Sequence, residues 1–148
     1  MAANATDSPS LLARMNEYVD VFVYGTLKPG AANFDNYCGS KVVASYRAYI
    51  VGDLYHLPRL GYPGAIHGTR QVHGFVLIFN DATVLSELDE LEDYDSHRQP
   101  QENDYNRELV TAYPIDGNPT ISAWAYLMTP SQIKKLRGVL LPDGWWEG

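Results

Sequence analysis

The sequence has one cysteine, no long apolar run and few positive charges. Cys38 has no second thiol in the 148 residues with which to form an intramolecular disulfide. No apolar segment approaches the roughly 18 residues that a membrane-spanning helix needs. The 11 Lys and Arg residues are outnumbered by 18 Asp and Glu, which gives a net charge of −7. Phosphate binding depends on clustered basic residues, so we expect neither nucleic acid nor a membrane as a partner.

Several familiar catalytic and metal-binding motifs are also missing. The four histidines lack the spacing of metal ligands, and the sequence contains neither HExxH nor CxxC. It has no P-loop and no GxSxG nucleophile motif. We therefore expect no metal ion and no cofactor. The first ten residues show neither the basic nor the hydrophobic part of a secretion signal, which favours a cytoplasmic protein.

The length fits one domain and is a poor fit to two. Residues 1–18 are predicted to form an N-terminal lead with a short helix. Residues 19–148 are predicted to form the single folded domain. The oligomeric state is expected to be a monomer or a homodimer.

Strands are expected to outnumber helices, and the two do not alternate regularly. Turn residues are found at Leu60–Gly64, and Asp116-Gly117 predicts a hairpin. A glycine inside a strand, such as Gly74, often marks a bulge or a close approach. We therefore expect an α+β domain built on a small, strongly bent sheet of the kind that can close into a barrel. The predicted strands are Asp20–Tyr24, Lys41–Leu57 (two strands or one bent strand), Gln71–Phe79, Arg107–Tyr113 and Thr120–Met128; the predicted helices are Ala82–Glu92, capped at Asn80-Asp81, and Ser131–Arg137.

The acidic helix directs one carboxylate toward the core. At 100° per residue, Glu92 falls at about +40° from Leu88, inside the apolar arc of the helix. A buried, unpaired carboxylate is costly, so Glu92 must be partnered, protonated or facing a cavity. The alternative is that the helix has frayed at Glu92 and the side chain is solvated. The other four carboxylates fall outside the arc: Glu87, Asp89, Glu90 and Asp93.

The segment Tyr24–Gly30 directly follows a predicted strand. A glycine at a strand end lets backbone N–H groups turn outward into a nest that can bind an anion. The alternative is an ordinary turn between a strand and a loop.

These segments together resemble the gamma-glutamylcyclotransferase-like family, which includes the avirulence-induced-gene-like proteins. The resemblance runs from about Val19 to Met128. Phe75 departs from it, because the family often has an acidic residue at this position, directly after the glycine that corresponds to Gly74. The matching pieces, in the family's order, are VFVYGTLKPG followed by Asn33, GDLYHL, GYPG, VHGFV, LDELEDYD, the pair Tyr105 and Arg107, and AWAYLM.

The resemblance implies a small mixed β-barrel with flanking short helices. It implies that Glu92 is the catalytic acid/base. The residues that match the family's substrate pocket are Tyr24, Gly25, Thr26, Leu27, Tyr105 and Tyr126.

The implied activity is the cyclisation of a γ-glutamyl group to 5-oxoproline with release of an amine or amino acid. The reaction needs no cofactor, because nucleophile and electrophile belong to one small-molecule substrate. The alternative function is a non-catalytic small-molecule-binding or interaction module on the same fold.

The C-terminal residues carry two adjacent tryptophans. Trp145 and Trp146 follow Pro142-Asp143-Gly144. Large aromatic side chains usually find burial, so we expect this tail to lie on the domain's own core. The alternative is contact with a second chain.

Overall fold

The computed structural model describes residues 18–147. The predicted N-terminal lead and its helix lie, apart from Tyr18, outside these residues. Short helical turns cover Asp35–Gly39 and Pro100–Glu102. No helix within residues 18–147 is long and apolar enough to cross a membrane. The remaining elements, in chain order, are β1 (Val19–Val23), β2 (Val42–Leu57), β3 (Tyr62–Phe79), α1 (Val84–Leu91), β4 (Asn106–Pro114), β5 (Ile121–Leu127), α2 (Pro130–Lys135) and β6 (Val139–Leu140).

Five strands close into a mixed barrel, which confirms the predicted fold. The order is β3-β1-β5-β4-β2, and β2 pairs again with β3 to complete the ring. β1 runs parallel to β5, with Val21 opposite Trp124. The other pairings are antiparallel, and β6 adds to the edge of β2. Residues 18–147 therefore form an α+β domain in which, of the strands described, the short β6 alone lies outside the closed ring.

β2 and β3 form one long hairpin whose turn is earlier and tighter than predicted. The turn covers residues 58–61, and Gly61 has a φ of +78°. The prediction of turn structure through Gly64 was therefore wrong, because Tyr62, Pro63 and Gly64 belong to β3. Pro63 pairs with His56 at the end of the hairpin. β2 is one bent strand rather than two.

A register shift between Gly52 and Asp53 accounts for the bend in β2. At Gly52 an added Cβ would lie 2.7 Å from the carbonyl oxygen of Ile66. Gly74 in β3 marks a close approach, since a Cβ there would lie 2.1 Å from the carbonyl oxygen of Val23. Glycines in strands thus allow the sheet to bend and β1 to lie close against β3.

Alternate residues of β1 face two hydrophobic clusters on opposite sides of the sheet. Val21 and Val23 pack in the cluster that includes Leu88 of α1. Phe22 and Tyr24 pack in the other cluster, which is rich in β-branched and small residues. The helix is therefore held against the outer face of β1 and β3. It begins at Val84, two residues later than predicted, because the Asp81 carboxylate accepts hydrogen bonds from the amide and hydroxyl of Thr83.

The C-terminal tail lies on the domain's own core. Trp146 is buried and packs in the cluster that contains Phe22. Its indole N–H donates to Nδ1 of His56 at 3.1 Å. α2 begins at Pro130, one residue earlier than predicted, because the Thr129 hydroxyl caps the helix by accepting from the amide of Gln132, and it ends at Lys135 rather than Arg137.

Candidate active site

One small cavity lies between the loop after β1 and the end of α1. Its volume is about 150 Å³. Pockets for drug-sized ligands have volumes of roughly 300–1,000 Å³, so this cavity has room for one small chemical group of a ligand. The structure places all seven predicted site residues on its wall: Tyr24, Gly25, Thr26, Leu27, Glu92, Tyr105 and Tyr126. Their roles in binding and catalysis stay predictions.

The loop after β1 is held in place by its own hydrogen bonds. The amide of Lys28 donates to the carbonyl oxygen of Gly25 at 3.1 Å, and the amide of Asn33 donates to the carbonyl oxygen of Thr26 at 2.8 Å. The Asn33 side chain also donates to the Thr26 hydroxyl oxygen at 3.0 Å. In the loop, turn and cap hydrogen bonds within residues 18–147, the amides of Gly25, Thr26 and Leu27 are not donors. These amides are candidate donors to an anionic or carbonyl oxygen bound in the cavity.

Glu92 stands immediately after the last residue of α1. Its amide still donates to the carbonyl oxygen of Leu88 at 2.9 Å, so the helical direction continues to this residue. The helix does end at Leu91, yet the Glu92 side chain is half-buried against the cavity. Burial, together with the smaller effect of the negative charge of Asp104, raises the pKa of Glu92 from 4.5 to about 7. A carboxyl with a pKa near neutrality can both accept and donate a proton.

Three of the four tyrosines that line the cavity, Tyr24, Tyr105 and Tyr126, donate their hydroxyl protons within the protein. Tyr24 donates to the carbonyl oxygen of Tyr126 at 2.6 Å and accepts from the amide of Ala65 at 3.1 Å. Tyr105 donates to the carbonyl oxygen of Pro63 at 2.6 Å. The hydroxyl of Tyr126 donates to Asp89 at 2.7 Å. These side chains shape the cavity and can accept, but not donate, a hydrogen bond to a ligand.

Several residues of the cavity wall are not among the predicted site residues: Asn33, Tyr62, Pro63 and Asp104 also line it. Tyr62 and Pro63 fall in the predicted turn, and the sequence predicts no role for Asp104. Asn33 was noted only as a residue after the motif, and its hydrogen bond to Thr26 shows why it belongs to the site.

The cavity is polarised. Among residues 18–147, its lining includes Glu92 and Asp104 and no Lys, Arg or His. The amides of Gly25, Thr26 and Leu27 are the candidate hydrogen-bond donors of the loop. Within residues 18–147, no group of three or more His, Cys, Asp or Glu side chains is arranged to hold a metal ion. An amino-acid-like ligand would therefore place its ammonium group toward the carboxyls and its oxygens toward the loop.

Comparison with known proteins identifies the family of this chain and agrees with its fold. Residues 21–148 match the family described as gamma-glutamyl cyclotransferase, AIG2-like. A Vibrio cholerae protein named provisionally as a gamma-glutamylcyclotransferase is 34% identical over 107 residues, covering 72% of this chain and 79% of the relative. The gamma-glutamylcyclotransferase family protein YtfP of Escherichia coli is 32% identical over 108 residues, covering 72% and 80%.

The fold is also found in solved structures. An AIG2-like protein from Mus musculus superimposes with a TM-score of 0.67 at 20% identity, covering 88% of this chain and 89% of that one. The chain therefore belongs to the AIG2-like gamma-glutamyl cyclotransferase family.

Proposed function

We propose that this protein is a γ-glutamyl cyclotransferase with Glu92 as its acid/base. The observation that supports the proposal is that Glu92 and residues 25–27 line one small cavity. The pKa of Glu92, raised to about 7, suits proton transfer at neutral pH. Family membership supports the same reaction class.

The reaction is an intramolecular aminolysis. The α-amino nitrogen of the γ-glutamyl group attacks its own γ-carbonyl carbon, and a new C–N bond closes the five-membered ring. The bond from that carbon to the leaving nitrogen then breaks, which releases 5-oxoproline and an amine or amino acid. Glu92 takes a proton from the attacking nitrogen and delivers one to the leaving nitrogen, so it ends the cycle as a carboxylate.

The protein's other contribution is to hold the substrate in a folded pose. Fixing nucleophile and electrophile in a near-attack geometry supplies a large part of such a rate enhancement. In this proposal the amides of Gly25, Thr26 and Leu27, which line the cavity and are not donors in the loop hydrogen bonds, hold the substrate carboxylate or the oxygen that becomes negative during attack. Tyr105 and Tyr126 form the side of the binding cavity.

The test is to incubate the protein with a panel of γ-glutamyl amino acids, γ-glutamylcysteinylglycine and a γ-glutamyl amide of a lysine side chain, and to assay 5-oxoproline. Release from at least one compound is expected, and the panel identifies the leaving group. Saturable binding of γ-glutamyl compounds without any 5-oxoproline would instead support the non-catalytic binding module.

A further inference from the structure

A carboxylate of α1 connects the helix to the barrel strands beside the cavity. Asp89 Oδ1 accepts the hydroxyl proton of Tyr126 at 2.7 Å. Asp89 Oδ2 accepts from Nη1 of Arg107 at 2.8 Å. Both oxygens of one carboxylate thus bind neighbouring strands, because Arg107 and Tyr126 are opposite each other in the pairing of β4 with β5. This connection was not predicted, since Asp89 falls outside the apolar arc of the helix.

The arginine in this network is itself held firmly. Its guanidinium carbon lies 4.8 Å from the centroid of the Trp124 ring and 5.5 Å from that of Tyr94. The side chains of Arg107 and Asp89 are each only 22% exposed. A partly buried, hydrogen-bonded pair with a stacked guanidinium is more sharply oriented than an exposed ion pair. The network is therefore suited to holding α1 in one orientation relative to β4 and β5.

The position of the Glu92 side chain depends on the orientation of the end of α1. It follows the last helical residue, and the next residue, Asp93, has a φ of +53°, so no further helical turn holds it. Asp89 precedes Glu92 by three residues and so lies on the neighbouring part of the same helical face. An anchor at Asp89 controls the rotation of the last turn, and with it the position of the Glu92 carboxyl.

We propose that Asp89 is a positioning residue, which Arg107 and Tyr126 hold so that the end of α1 presents Glu92 to the cavity. This inference rests on the proposed function, because it assigns Asp89 a part in acid/base catalysis through Glu92. The competing explanation is that the Asp89–Arg107 pair only stabilises the fold.

The same helix supplies a matched control. Glu87 forms an ion pair with Lys41 that also joins α1 to another part of the chain. Glu87 is exposed and does not line the cavity. Loss of that pair tests the effect of one fewer ion pair on the helix without touching the network at Asp89.

The kinetic experiment compares Asp89→Ala, Arg107→Met and Glu87→Gln with wild type, at a temperature where circular dichroism shows all four folded. A misplacement of about 1 Å can cost roughly 100-fold in rate. We expect kcat to fall about 10- to 100-fold in Asp89→Ala and Arg107→Met, with KM changing less than about threefold because the loop is intact. Glu87→Gln should keep both constants.

A titration of Glu92 tests its position independently of activity. The side-chain carboxyl carbon is followed by NMR from pH 4 to 9 and assigned by its loss in Glu92→Gln. The titratable groups facing Glu92 are Asp104 and the tyrosines of the cavity. If Arg107→Met only removes a positive charge, the pKa of Glu92 stays or rises. If the carboxyl moves out toward water, the pKa falls toward 4.5, and this fall is the expected result.

The outcomes separate the two proposals. An unchanged kcat and an unchanged Glu92 titration in Asp89→Ala and Arg107→Met would overturn the positioning role, even if both variants melt at lower temperature. An equal loss of kcat in Glu87→Gln would overturn it too. If wild-type protein forms no 5-oxoproline, the proposed function fails, and the titration of Arg107→Met alone decides whether Asp89 and Arg107 position Glu92.

Discussion

Nζ of Lys28 lies 3.5 Å from the centroid of the Trp145 ring and donates a hydrogen bond of 2.5 Å to the carbonyl oxygen of Trp146. Lys28 is buried, and this burial lowers the pKa of its ammonium group. A desolvated cation over an aromatic face gains more attraction than an exposed one. The contacts of Lys28 with Trp145 and Trp146 therefore hold the C-terminal tail against the loop after β1, which has the candidate substrate-binding amides.

Removal of the tail should weaken the whole domain. Deleting residues 142–148 exposes the surface that Trp146 covers and leaves Lys28 buried without its partners. Burial of one large aromatic side chain contributes about 2–3 kcal/mol, so Tm should fall by about 5–10 °C. Thermal denaturation followed by circular dichroism measures this. An unchanged Tm with a changed oligomeric state would mean that the tail serves a second chain.

Glu92→Gln keeps the size of the side chain and removes proton exchange. If Glu92 is the acid/base, kcat should fall by about 10² to 10⁴, the usual contribution of general acid–base catalysis. Substrate affinity should remain, because the loop after β1 supplies the amide donors. The measurement is 5-oxoproline release with the best substrate of the panel. Activity equal to wild type would rule out Glu92 as the acid/base.

Two neighbours provide controls for this substitution. Glu90 and Asp93 are exposed and do not line the candidate active site. Glu90→Gln and Asp93→Asn should therefore leave the rate nearly unchanged. A similar loss in these variants and in Glu92→Gln would indicate a damaged helix rather than a missing proton carrier.

The rate should depend on pH through the same carboxyl. The first step needs Glu92 as a carboxylate, so kcat/KM should rise with pH and level off above an apparent pKa of about 7. In Asp104→Asn this rising limb should move to lower pH, because Asp104 raises the pKa of Glu92. Rates from pH 5 to 9 test this. A rising limb that stays in Glu92→Gln would assign the titration to another group.

The free energy of unfolding should fall as the pH rises, whereas the rate should increase. The folded protein holds a proton on Glu92 up to about pH 7, whereas the unfolded chain releases it near pH 4.5. Stability from the protonated form is thus fully present below pH 4.5 and is lost as pH rises through 7. The free energy of unfolding of Glu92→Gln minus that of wild type should increase by on the order of 3 kcal/mol as the pH rises from 4.5 to 7. Urea unfolding at pH 4.5 and 8 measures the gain, and an equal difference at both values would contradict it.

Gly74→Ala should separate β1 from β3. The added Cβ would lie 2.1 Å from the carbonyl oxygen of Val23, a backbone atom that cannot move alone. Overpacking of this kind costs about 3 kcal/mol or more, equivalent to a loss of roughly 6–12 °C in Tm. Gly39→Ala is the control, because its Cβ would meet only ordinary contacts at 3.5 Å or longer. Equal Tm values for the two variants would contradict the close packing at Gly74.

Local sequence signals predicted the elements that depend on neighbouring residues. Thr129 followed by Pro130 caps α2, and Asp116-Gly117 turns the hairpin between β4 and β5, with Gly117 at a φ of +86°. The turn between β2 and β3 was placed too late because proline and glycine also occur inside strands. Pro63 is accommodated near the end of the hairpin, where its carbonyl oxygen binds Tyr105.

The candidate site was predictable only where a periodic pattern or a motif singled out a residue. The helical arc singled out Glu92, and the resemblance supplied the loop and two tyrosines. The ion pair of Asp89 with Arg107 depends on the paths of two separate elements, α1 and β4, and has no local signal. Periodicity sorts side chains into core and surface, and it does not show that a carboxylate beside the apolar arc of a helix meets an arginine from a strand.

The hydroxyl protons of Tyr24, Tyr105 and Tyr126 are directed to protein oxygens, which has a consequence for redesign. On the proposed assignment, the donors that recognise the oxygens of the glutamyl end are main-chain amides, and no exchange of side chains deletes a peptide N–H except a change to proline. Libraries aimed at a new scissile amide should therefore leave residues 24–27, Glu92 and Asp104 alone and vary Tyr62 and Leu91, which line the same cavity. Recognition of the glutamyl oxygens is tied to the backbone, whereas the choice of the departing amine is open to selection.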